Sequence, residues 1–234
     1  MKENFFKKIT GYLYHRGLQT LFMGVVTGFL AGVVVTFYNI LASIGEGFST
    51  GIYAYLRTHA ALVPLLFVAL VFAAFVIGVL VQFVPMIRGS GVPQTEGASR
   101  GVLRYNWFTV TCSMFAASLA CIFLGLSAGG DGPSIQIGGG LGYGSSRLFS
   151  RTDMLRRYQI TGGACAGLAV AFNAPLTGMA FAFEETHKKF TPEVFICAFS
   201  SVVTGVVTRN IIRSLLGLST DATFTTFTLK EEAT

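Results

Sequence analysis

Hydrophobic positions along this chain fall in long unbroken runs, with neither the strict alternation of a half-buried strand nor the single stripe of a soluble surface helix. Leu21 to Gly45, Ala60 to Ile87, Tyr105 to Gly130 and Tyr158 to Phe183 carry no charged residue. Each exceeds the roughly 20 residues a helix needs to cross a hydrocarbon core of about 30 Å. A further stretch, Val194 to Thr208, predicts a last helix. The pattern therefore predicts an all-α membrane protein: a multi-span helical bundle in which some helices are broken or re-entrant.

The breaks are local and chemically defined. Ser127-Ala128-Gly129-Gly130-Asp131-Gly132-Pro133 interrupts the third run, so the chain turns there. In the fourth, Asn173-Ala174-Pro175 predicts a helix ending near Phe172 and another starting near Pro175, because the residue before proline avoids the helical region while proline suits a first turn. Two short half-helices are expected from that run. Gly89-Ser90-Gly91-Val92-Pro93 ends the second run and starts a short helix reaching about Ser99, with Ser90 at or near its N-cap.

Composition agrees with a lipid environment: 52% of residues are hydrophobic and 12% charged, against about 25% charged in soluble domains. The formal net charge of +6 does not read as a nucleic-acid surface, because the basic residues sit in short clusters beside apolar runs. Those clusters are Lys2, Lys7, Lys8 and Arg16; Arg88, Arg100 and Arg104; Arg147, Arg151, Arg156 and Arg157; and Lys188 with Lys189. Cytoplasmic flanks of spans are enriched in Lys and Arg, so all four clusters and the N-terminus are expected to be cytoplasmic. Arg57 and His59 then lie in an outer turn, and Arg209 and Arg213 fall outside as exceptions. The first run lacks a small-residue cleavage site and is too long for a signal-peptide core, so it is a retained helix. The expected division is a cytoplasmic segment 1–17, a transmembrane repeat 18–213, and a loosely structured tail 214–234.

Few residues carry chemistry. Cys112, Cys121, Cys165 and Cys197 are scattered without CxxC spacing and read as small packing residues, not as metal or disulfide ligands. His15, His59 and His187 are dispersed, and no Ser, His and Asp group is placed to activate a nucleophile, so no enzyme is expected. Broken helices at membrane depth point instead to a pathway, since free backbone groups survive there only in protein or beside a polar cavity. The N-terminal ends of such half-helices attract anions. Ser90 serves either as an ordinary cap or as a hydroxyl turned toward an anion. Asp131, a carboxylate inside an otherwise apolar stretch, reads as a gate that occupies the anion site itself, or as an N-cap in an outer loop. Glu185 stands near a helix end beside Lys188 and Lys189.

The order and spacing of Gly89-Ser90-Gly91-Val92-Pro93, Gly129-Gly130-Asp131-Gly132-Pro133-Ser134-Ile135-Gln136-Ile137-Gly138-Gly139, Ala166-Gly167-Leu168-Ala169-Val170-Ala171-Phe172-Asn173-Ala174-Pro175-Leu176 and Phe183-Glu184-Glu185 resemble the CLC family of chloride channels and chloride/proton exchangers. The resemblance covers about Leu18 to Arg213 and only the first of that family's two inverted repeats. It implies a chloride site formed by Ser90, Gly91, Asp131 and Gly132, a gating role for Asp131 and a proton-pathway role for Glu185. Ser90 matches a serine that coordinates the central chloride and whose replacement by proline favours nitrate in some relatives. Asp131 stands where the family usually has the glutamate of GREGP, which shortens the carboxylate by one methylene. Gly130 stands for the arginine of that motif, and Gln94 for an acidic residue common after GSGIP.

The resemblance thus implies chloride transport, chloride/proton exchange ahead of a passive channel, in the plasma membrane of a bacterial-type cell. Chloride is the ligand, with no cofactor. The second repeat, with its GxFxP motif and pore tyrosine, is expected from a continuation of the chain or a separate one, and a homodimer in the family manner is also expected. An antiparallel pair of copies is disfavoured by the one-sided charge. A non-transporting subunit, a remnant of the fold or a fluoride exporter are the other readings, but Ser90, Asp131 and Glu185 all remain in place.

Overall fold

The computed structural model describes residues 2–126, 129–149, 152–187 and 191–218, with side chains described for 17–59, 61–126, 129–149, 152–184 and 191–218. Every regular element among them is helical: α1 (Lys2–Thr58), α2 (Val63–Phe83), α3 (Val92–Ser99), α4 (Trp107–Phe123), α5 (Asp131–Phe149), α6 (Asp153–Phe172), α7 (Pro175–Phe181) and α8 (Pro192–Leu215). Short 3-10 turns precede α2 and α3, and a π-helical segment, Ala182–His187, follows α7. The stretches Gly17–Thr58, Val63–Phe83 and Pro192–Leu215 are long and apolar enough to cross a membrane. The protein is an all-α integral membrane protein.

Several boundaries differ from the sequence reading. The first helix begins before the apolar run from Leu21 and continues unbroken from Lys2 to Thr58, since no Pro or Gly pair interrupts it. The fourth run does not give two short half-helices. Its first part, α6, starts at Asp153 and is 20 residues long, about 30 Å at 1.5 Å per residue. The apolar run concealed this start because the first turn of α6 is polar: Thr152 caps it, accepting from the Leu155 N–H at 3.4 Å, and Arg156 pairs with Asp153 at 2.8 Å. The last helix continues past Thr208 to Leu215, and it encloses Arg209, which is 1% exposed and donates to Asn210 Oδ1 at 3.1 Å. Arg209 is therefore interior to the bundle rather than a residue of an outer loop. The tail from Ser219 and the Lys188–Lys189 pair lie outside the described residues.

Helix α6 is the hub, packing on α5, α8, α1, α7 and α3. It is rich in Gly and Ala because the backbones around it approach closely. A methyl group on Gly138 or Gly142 of α5 would run into the carbonyl oxygens of Gly163 or Gln159 of α6. A second small-residue row, Gly24, Gly28 and Gly32 of α1, lies against Cys197, Ser201 and Gly205 of α8, where Ser201 Oγ donates to the Gly24 carbonyl at 2.9 Å. Lipid tails are as apolar as leucine, so helices in a membrane associate through such close packing and hydrogen bonds rather than through a hydrophobic force. Helix α2 differs: it has no buried residue and makes only slight contact with α4. All four cysteines are free, and Cys165 and Cys197 are buried.

Candidate functional site

After α2 ends at Phe83, Pro85–Ile87 form a single tight turn, and the chain then passes through Gly89 and Gly91 at φ 97° and 84° before α3 begins at Val92. Only glycine enters that left-handed region without strain. Space closes the choice at Gly91, because a Cβ there would lie 2.6 Å from Gln136 Oε1. The loop is fastened at three points. Gln136 Nε2 of α5 donates to the Met86 carbonyl at 2.7 Å, Gln94 Nε2 donates to the Arg88 carbonyl at 2.5 Å, and Thr95 Oγ1 donates to the Gly91 carbonyl at 2.8 Å. Gly91 is the N-cap residue, so Ser90 lies one position before it, and no side chain caps α3. Ser90 is exposed, and its side chain is not used as a helix cap.

Asp131 is the first residue of α5. Ser134 closes the first turn on Gly130, with its N–H at 3.1 Å and its hydroxyl at 2.7 Å from that carbonyl oxygen. The two motifs touch directly: a Cβ on Gly132 would collide with the Ser90 carbonyl and lie 3.2 Å from Ser90 Cβ. Their shared surface is a cavity of about 340 Å³ lined by Gly89 and Ser90, by Asp131 and Gly132, by Ser118 and Cys121 of α4, and by Ile77 and Val81 of α2. Asp131 is exposed and makes no ion pair among the described residues. The amino ends of α3 and α5 both open here, each bringing unpaired N–H groups and the positive end of a helix dipole.

The structure therefore brings Ser90, Gly91, Asp131 and Gly132 into one place. Glu185 lies in the π-helical segment after α7, and its side chain falls outside the described residues. Three residues beneath the site escaped the sequence reading. Gln136 holds the Met86–Gly91 loop, and its signal was a lone amide between isoleucines one turn into α5. Tyr38 of α1, fully buried, shares a hydrogen bond of 2.5 Å with Ser118. A Cβ on Gly130 would lie 3.8 Å from the Tyr38 ring, in ordinary van der Waals contact, so Tyr38 reaches the residue before Asp131. Nothing in the spacing of Tyr38 and Ser118 connects them before the fold does.

A family profile described as "Voltage gated chloride channel" matches residues 72–230. The H(+)/Cl(-) exchange transporters ClcA of Salmonella schwarzengrund (strain CVM19633) and Salmonella agona (strain SL483) are each 34% identical over 198 residues, covering 83% of this chain and 41% of the relative. A solved structure described as a slow cyanobacterial Cl-/H+ antiporter superposes with a TM-score of 0.69 at 30% identity, covering 83% of this chain and 47% of that one. The chain thus spans less than half the length of these relatives.

Proposed function

The chain belongs to the voltage-gated chloride channel (CLC) family, and from that premise we propose that it transports chloride across a membrane in exchange for protons, as the N-terminal half of a two-repeat assembly. One observation carries this reading: Ser90 and Asp131, far apart in sequence, line a single cavity at the paired amino ends of α3 and α5. Chloride is held there by the Ser90 hydroxyl and by the N–H groups of Gly91 and Gly132, with helix ends supplying positive potential in a medium of low dielectric constant. The ionised Asp131 carboxylate competes with chloride for those donors. Protonation removes its charge, frees the site and carries a proton in the same event. Glu185 passes protons between Asp131 and the side of the membrane that holds the N-terminus. The relatives are named as transporters, and this function is one of transport, not of enzymatic catalysis.

The transporting body is residues 18–213, with the complementary wall supplied by a second repeat, in a homodimeric assembly of the family kind. The N-terminus faces the cytoplasm of a bacterial-type plasma membrane, as the clustered basic residues support. Liposomes containing the chain with a complementary second repeat test the proposal. An imposed chloride gradient should drive proton movement, and Asp131→Ala should leave chloride flux while abolishing the coupled pH change. Chloride flux without a pH change in the unaltered protein would make it a passive channel. Coupling that persists in Asp131→Ala would remove Asp131 from the gate.

A further inference from the structure

At the end of the bundle away from this cavity, the loop after α3, the last turn of α5 and the first turns of α6 converge on Tyr143. This ring is 7% exposed, with the Arg147 guanidinium 5.6 Å and the Arg156 guanidinium 5.9 Å from its centroid. Tyr105 meets it edge-on at 5.3 Å, and the buried Tyr105 hydroxyl has no hydrogen-bond partner. Arg104 completes an open basin of about 580 Å³, and Arg157 lies in an adjoining cleft against Gly101. Among the described residues, only Arg156 of these four arginines has a carboxylate partner, Asp153.

We propose that this basin binds the phosphate group of an anionic phospholipid. Guanidinium groups grip phosphate oxygens through paired N–H donors, and cation–π attraction to Tyr143 anchors two of them at the basin. Membrane orientation alone asks only for positive charge near a span. It does not ask for two guanidiniums over one tyrosine ring, with Arg104 lining the same basin and an unpartnered Tyr105 hydroxyl beside them. A lipid is favoured over free phosphate because exposed apolar side chains accompany these arginines: Val102 (77%) and Leu148 (81%) stand within two residues of Arg104 and Arg147 in sequence, and Leu103 (38%) lines the adjoining cleft. Acyl chains have a surface there, and basic sites between transmembrane helices are suited to lipid headgroups.

The purified full chain in neutral detergent, titrated separately with short-chain phosphatidylglycerol, phosphatidylcholine and inorganic phosphate, tests this by native mass spectrometry and thermal unfolding. Phosphatidylglycerol should bind at least tenfold more tightly than phosphatidylcholine and raise the unfolding temperature. The pair Arg147→Gln and Arg156→Gln should lose about tenfold in affinity, whereas Arg57→Gln, at the end of α1, should lose none. Should the double glutamine variant misfold, Arg147→Lys with Arg156→Lys keeps the charge and should still weaken binding several-fold. Equal binding of the two lipids, or unaltered binding in the arginine variants, would overturn the site. Saturation by inorganic phosphate at the same concentration would overturn the lipid as its ligand.

Discussion

Gly132 and Gly91 set how closely the loop before α3 can approach α5, and so where Ser90 and Asp131 stand relative to each other. At Gly132 the obstacle is backbone, the Ser90 carbonyl, which cannot rotate away as a side chain would. Gly132→Ala should therefore cost about 1–3 kcal/mol by overpacking and push the two loops apart. The check is denaturant unfolding in detergent together with chloride protection against it. A variant as stable as the parent and equally protected would show that the contact is not confining. At Gly91, an alanine meets both Gln136 and a left-handed backbone. Selectivity belongs to this scale too. Ser90→Pro removes the hydroxyl and, in a complete assembly, should raise nitrate flux relative to chloride. An unchanged flux ratio would count against coordination by Ser90.

The elements were legible to different degrees, and the differences have physical causes. Turns written in Gly, Asn and Pro were placed closely: α3 starts at Val92, α6 ends at Phe172 with Asn173 in the left-handed region at φ 54°, and α7 starts at Pro175. Those residues act through their own backbone, so neighbours are not needed to read them. Ends written in polar side chains were missed, because apolar runs stop where charge begins while helices do not; α6 and α8 both extend beyond their runs. The site was legible as motifs, since Ser90 and Asp131 stand out singly, but its supports were not. Tyr38, Ser118 and Gln136 become partners only once α1, α4 and α5 are packed. The glycine row of α1 was equally readable and carried no obvious chemistry. Its role is packing, which gives a prediction: Gly28→Leu should separate α1 from α8, because Ser201 backbone occupies the required space. A loss of about 1–3 kcal/mol or more would appear as lower thermal stability, with Gly47→Leu, where a Cβ meets nothing, as the control. Equal loss at both positions would show that the effect does not arise at this interface, since leucine is the better helix former at either position.

For the whole molecule, the unusual fact is which surfaces the described residues leave uncovered. Helix α2 has no buried residue, and Ser90 and Asp131 are exposed although they line the cavity between α2, α4 and α5. A transporter cannot work with its ion site open to lipid or to water along one flank, since the donors would bind water and the anion would escape sideways. The proposed second repeat must therefore close this flank. Chemical access tests it. Ser90→Cys, made with Cys112→Ala and Cys121→Ala so that the accessible thiols of α4 are removed, should react quickly with a charged thiosulfonate reagent when the chain is reconstituted alone. Addition of the complementary repeat should slow that reaction at least tenfold, and chloride should slow it further by occupying the same position. Labelling that is equally fast with and without the second repeat would mean that the flank is closed in some other way, and would separate the anion site from the proposed assembly.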